Sequence, residues 1–374
     1  MNGIDVNSSS SILEHRSRRF PRAYGVLIAS FVVVGVTVVA SLVRPIGPTA
    51  TETQDRNPAA STLLAPLTGP GAAIPAVGSI AQIDHSIRAW TTNLAANPKD
   101  FISATNLATL YHARGRLTGN LDDQARALEA ARTAAAIAPN QTAASSLEAT
   151  ILYTLHDFGA SLAVADRLYR ANPADLGALA TRADTELELG QMAAARADYD
   201  TLAARASGPA IDIRLARLAY LSGDAARSLT LAIAARDAAT ADPGTDLGFY
   251  HYAVGEYARL TGDGEMARRS YTAAIALRPA DFGSLLGLGK VQASTGDLAG
   301  AIATLEQAAA IVPQPETLTL LGDLHALMGD ATGAADAYAT VGAIRTLSSI
   351  EGLVFDRQLL LFDLDHGAAT SASL

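Results

Sequence analysis

PADFGSLLGLGKVQASTGDLAGAIATLEQAAAIVP, residues 279–313, is one period of a pattern that runs through most of the chain. It opens on Pro279, closes on Pro313 and breaks midway at Gly296. Between the breaks alanine and leucine recur at helical spacing, and alanine is both the strongest helix former and small enough to let two helices close on each other. Proline cannot continue a helix and marks where one pair of helices gives way to the next. Gly296 supplies the left-handed residue that ends the first helix of the pair. Outward from this stretch the prolines form a ladder, Pro98, Pro139, Pro173, Pro209, Pro243, Pro279 and Pro313, with gaps of 41, 34, 36, 34, 36 and 34 residues. A glycine recurs midway, at Gly115, Gly190, Gly223, Gly262, Gly296 and Gly329, often followed by aspartate. This spacing predicts a helix-turn-helix array, all-α in class. Asp100, Asp175 and Asp281, each two residues past a proline, are the expected caps of the first helices.

The pattern resembles the tetratricopeptide repeat. In the unit at 279–313 the matching residues are Leu288-Gly289, Gly296, Ala301, Leu305, Ala308 and Pro313. The preceding unit matches through Gly255, Gly262, Ala267, Tyr271, Ala274 and Pro279, and the last through Leu321-Gly322, Gly329, Ala334 and Tyr338. Small residues stand where two helices cross, and a larger one fills the space beside them. Three units depart: His156 replaces the turn glycine after Pro139, the turn after Pro209 comes early, and the first unit carries extra residues around Leu117–Asp123. The resemblance implies a solenoid of about seven units over 98–346. Ile80, Ile83, Ile87, Trp90 and Leu94 predict an N-terminal cap helix within 79–97, and 347–374 reads as a C-terminal cap helix, 350–364, and a tail. The wording of the later units is similar to that of bacterial members of the family.

Ahead of the array lie three segments of different composition. Residues 1–22 are polar and end in Arg16, Arg18, Arg19 and Arg22. Residues 23–43, AYGVLIASFVVVGVTVVASLV, carry no charge. A helix of that length reaches about 31 Å, the thickness of a bilayer core. The arginine excess before it predicts a single-pass membrane anchor with the N-terminus cytoplasmic and the repeats outside. Cleavage after Ala40 is the alternative, although the apolar stretch is long for a signal peptide. Residues 44–78, with six prolines and four glycines, read as a loose tether.

Composition narrows the chemistry. No cysteine is present, which excludes disulfides and thiolate sites, and a net charge of -9 argues against a nucleic-acid partner. GSLLGLGK, Gly283–Lys290, is out of register for a phosphate loop, because Val291 stands where Ser or Thr would hold magnesium. The seven histidines show no metal-ligand spacing. Neither catalysis nor a metal or other cofactor is expected, and binding remains.

The resemblance implies that the first helix of each unit lines a concave groove holding a protein or peptide partner. Carried onto this chain, the groove positions are Thr109, His112, Tyr153, Asp184, Arg217, Tyr220, Tyr252, Glu256, Arg259, Lys290 and Asp323. Their charges alternate in sign, unlike the all-basic clamp for a C-terminal carboxylate. The expected role is an extracytoplasmic scaffold for envelope assembly or secretion, the alternatives being a secreted periplasmic chaperone or an accessory subunit of a membrane enzyme. Leu353, Phe355, Leu359, Leu360, Leu361, Phe362 and Leu364 wrap more of the last helix than one buried face requires, which predicts self-association or a partner there.

Overall fold

A computed structural model describes residues 44–45, 80–118, 120–241, 245–351 and 357–367. Among the described residues it is an all-helical array of sixteen helices. α1 (Ile80–Ala96) is followed by seven antiparallel pairs: α2 (Phe101–Thr118) with α3 (Leu121–Ile137), α4 (Thr142–Thr154) with α5 (Phe158–Ala171), α6 (Leu176–Glu188) with α7 (Met192–Arg205), and α8 (Pro209–Leu221) with α9 (Ala225–Thr240). The series continues with α10 (Leu247–Leu260) and α11 (Gly264–Leu277), α12 (Phe282–Ser294) and α13 (Leu298–Ile311), and α14 (Pro315–Leu327) and α15 (Ala331–Glu351). α16 (Arg357–Asp365) packs on α14. The extended pairing among the described residues is an antiparallel bridge of two residues each, Arg44–Pro45 with Ala206–Ser207. The expected span at 23–43 lies outside the described residues, as does nearly all of the tether; among the described residues no helix is long and apolar enough to cross a membrane.

Turn chemistry explains the pairing. Gly190, Gly223, Gly262, Gly296 and Gly329 all have positive φ, between 71° and 87°. His156 takes the same conformation at φ 60°, so the second unit keeps its turn without glycine. Gly115 does not serve as a turn: α2 runs on to Thr118, and the extra residues of the first unit lengthen this helix before Asn120 caps α3. After the turns, Asp157, Asp224, Asp263 and Asp297 each accept a backbone N–H in the first turn of the second helix. Asp100 and Asp175 cap the first helices as expected. Asp281 makes no backbone cap; its carboxylate takes the Ser284 hydroxyl and the Arg278 guanidinium instead. Of the ladder prolines among the described residues, only Pro209 opens its helix; α14 begins at Pro315, two residues after Pro313.

The core is a row of close helix crossings. Ala267, Tyr271 and Ala274 are fully buried on one face of α11. The Tyr271 ring lies between α10 and α12, where a methyl added at Gly255 would stand 2.7 Å, and one at Gly287 2.4 Å, from its carbons. Gly289 relates in the same way to Leu305, and Gly322 to Tyr338. The ends are closed by the cap helices. Ile83 and Ile87 of α1 pack on Leu107, and Leu359 of α16 on Leu318, Val341 and Ile344.

The C-terminal region differs from expectation. α15 continues through Glu351, residues 352–356 (with Leu353 and Phe355) lie outside the described residues, and α16 starts only at Arg357. Of the apolar residues expected to be exposed there, Leu359 is buried, Leu360 and Phe362 are half-buried, and Leu361 and Leu364 alone are exposed.

Gly287→Ala should destabilise the array by about 1–3 kcal/mol, because the buried Tyr271 ring, held at its hydroxyl by Glu256, would have to shift. Gly264→Ala, in the first turn of α11 with open space around it, should be neutral or mildly stabilising. Urea unfolding of both variants checks the pair, and equal effects would contradict the wedge.

Candidate functional site

The first helices α2, α4, α6, α8, α10, α12 and α14 carry the residues expected to line the groove. Thr109 is half-buried and spends its hydroxyl on the Thr105 carbonyl of its own helix. His112 is buried and meets Gln124 of α3 at 2.7 Å. Burial, with Arg116 nearby, pushes its imidazole down to about 4, so at neutral pH it is an uncharged core residue. It therefore belongs to the seam between α2 and α3 and not to an open face.

The structure brings three successive first helices together on one set of side chains. The Tyr153 hydroxyl of α4 donates to Glu188 Oε1 of α6 at 2.5 Å. Arg217 of α8 reaches the same oxygen at 2.5 Å and donates to the Tyr153 hydroxyl at 3.0 Å. Desolvation raises the Tyr153 pKa, keeping it a neutral donor. Burial by itself would weaken the Arg217 charge, but Tyr153 and Glu188 more than reverse that and raise its pKa. Glu188, which the sequence did not single out, is the hub of this triad.

A second motif repeats along the array. Asp184 accepts from the Tyr199 hydroxyl at 2.7 Å, Glu256 from Tyr271 at 2.5 Å and Asp323 from Tyr338 at 2.7 Å, always fifteen residues apart. The acid stands on the first helix and the tyrosine on the second, so each pair closes its own unit. Asp184 also takes the buried Arg214 of the next unit, with Nε 2.9 and 3.0 Å from its two oxygens. Glu256 is itself buried and holds Arg259 at 2.9 Å. Lys290 pairs with Glu316 of the following unit at 2.5 Å. Asp323 receives His366, just beyond α16, at 2.9 Å, and that ring stacks on Phe362.

The tyrosines complete the face. Tyr220 is half-buried and lies 6.0 Å from the Tyr257 ring across the fourth and fifth units. Tyr252 lies 6.3 Å from Tyr271 and beside Gly283. Burial raises the Tyr252 pKa, so it too stays neutral. Arginine 217, Arg259 and Lys290 are thus each matched to a carboxylate of this chain. The expected residues form linked groups instead of one continuous lining. Tyr199, Arg214, Tyr257 and Glu316 were missed, and Tyr271 was read only as a repeat position, although the fifteen-residue spacing of acid and tyrosine was present in the sequence.

Two segments, residues 146–210 and 252–316, match the family model described as tetratricopeptide repeat. No curated protein sequence matches the chain. The APC/C hetero-tetramer Cut9–Hcn1 superposes with a TM-score of 0.54 at 12% identity, covering 66% of this chain and 48% of that one. Yeast Tom70 superposes with a TM-score of 0.53 at 16% identity, covering 86% of this chain and 66% of that one. The chain therefore spans about half the length of the first and less than two thirds of the second, and at these identities the likeness is one of fold. Proline-spaced helix pairs, left-handed turns, small residues at the crossings and the matched segments agree: the chain carries tetratricopeptide repeats.

Proposed function

We propose that this protein is an interaction scaffold whose first-helix face receives an extended, largely uncharged segment of a protein partner. The observation that carries this reading is the internal pairing of charge: Arg217 with Glu188, Arg259 with Glu256 and Lys290 with Glu316. A charged ligand would have to break one of these ion pairs, whereas an uncharged segment leaves them intact and packs on Tyr220 and its neighbours. Aromatic side chains of this kind are common anchors at interfaces. The role is one of binding, without catalysis.

The same proposal places the array outside the cytoplasmic membrane of a bacterial cell, held there by residues 23–43 as a single-pass anchor with the N-terminus inside. The support is the uncharged stretch of 21 residues and the arginines before it. A scaffold so placed suits envelope assembly or secretion. Leu361 and Leu364 of α16 offer a second copy or another partner a small contact, two exposed leucines wide.

Peptides selected on the full chain from a displayed library test the binding face. Tyr220→Ala should weaken them by about 2 kcal/mol, roughly thirtyfold, with the melting temperature little changed. Peptides indifferent to this change would place the site elsewhere. Arg217→Ala should instead lower stability by about 1–3 kcal/mol, since it leaves Glu188 and Tyr153 without their shared partner. Affinity for the selected peptides should vary less than about threefold between roughly 50 and 500 mM salt, because no new ion pair forms. Protease added to spheroplasts should digest the repeats and spare residues 1–22; protected repeats would overturn the orientation.

A further inference from the structure

The joint between the second and third units sets three carboxylates against one guanidinium. Arg182 of α6 donates through Nε and Nη2 to Asp198 of α7 at 2.6 and 2.7 Å, and through Nη1 to Asp166 of α5 at 3.3 Å. Its guanidinium carbon lies 4.4 Å from the centroid of the Tyr169 ring. The third acid, Glu186, sits one turn along α6 with Oε1 at 4.0 Å from Arg182 Nε, beyond hydrogen-bond distance. Glu186 is 9% exposed, and its Oε2 is buried with no hydrogen-bond partner. A buried carboxylate without donors, facing two others, is costly to ionise.

We propose that Glu186 is a proton-binding site that locks α5, α6 and α7 together when neutral and loosens their joint when it ionises. A metal ion does not suit the position, because Arg182 occupies the centre of the cluster and, among the described residues, no group of acids and histidines has a metal-binding arrangement. Burial first, and then the Asp198 charge, push the Glu186 carboxyl up to about 7 against the pull of Arg182. The groups facing it are Asp166 on α5, with Arg170 on that carboxylate at 3.1 Å, Arg182 on its own helix and Asp198 on α7. The positive charges that α8 brings, Arg214 and Arg217, are engaged by Asp184 and Glu188 of α6. α6 is therefore gripped by two sets of partners, and ionisation of Glu186 adds a third negative charge to one of them.

The sign follows from proton linkage. A carboxyl whose pKa is raised in the folded state binds more protons there, so stability falls as pH rises from about 4.5 through 7. His112 acts oppositely over about 4 to 6.5, since its folded pKa is lowered. The Glu186 effect is therefore read as the difference between the pH dependence of the wild type and that of Glu186→Gln.

Hydrogen exchange on the full chain, corrected for the intrinsic rate, tests this. Protection of α5–α7 should fall about tenfold between roughly pH 6 and pH 8.5 in the wild type and hold in Glu186→Gln, with α12–α14 unchanged in both. Glu186→Gln following the wild type at both pH values would overturn the proposal. A carbon-13 titration of the glutamate carboxyls in the wild type gives a reading that needs no variant. A Glu186 midpoint above about 6 supports the site, and one below about 5 overturns it.

Discussion

Two helices can approach this closely only where one of them lacks a side chain, and that constraint governs the last three units of the array. Tyr271 shows it twice, filling the space left by Gly255 in its own unit and by Gly287 in the next. One ring thereby sets the distance between α10 and α11 and also between α11 and α12. Its hydroxyl is held by Glu256, so the ring is fixed at both its edge and its tip. Leu305 and Tyr338 play the same part against Gly289 and Gly322. The alanine richness of the chain is the same constraint in weaker form, with Ala267, Ala301 and Ala308 fully buried at the crossings.

The fold could be read from the sequence because the features that make it are local. A left-handed turn depends on one residue, and a cap on two or three. His156 shows the limit of that reading: it looks like a lost turn, yet its φ of 60° keeps the geometry that glycine provides elsewhere. Gly115 is the reverse case, a glycine at the expected place that stays helical because α2 is longer. Asp281 is a third, an aspartate at a capping position drawn away by Arg278. In each case a neighbour outside the local pattern decided the outcome.

The binding face was less readable, and for a physical reason. Which side chains meet across units depends on how far each pair is rotated against the one before. Glu188 is an unremarkable surface acid until α4 and α8 bring Tyr153 and Arg217 to it from 35 residues before and 29 after. His112 has the right position for the groove and the wrong inclination, turning toward Gln124 and the seam with α3. Opposite charges along such a face cancel when they belong to successive units, and a linear reading sees only their alternation.

The helices touch their neighbours in order along the chain, α1 on α2, α2 on α3 and so to α16 on α14, and sequence-distant helices contribute little to any core cluster. A molecule built this way has no single keystone, and its folding resembles the closing of a zipper. Folding can start in any interior pair and spread both ways, while melting begins at the end pairs of the array. The end helices are each pinned by a guanidinium: Asp84 of α1 by Arg114, and Asp363 of α16 by Arg345. Those two clasps decide how easily the first teeth part, although neither lies anywhere near the middle of the chain.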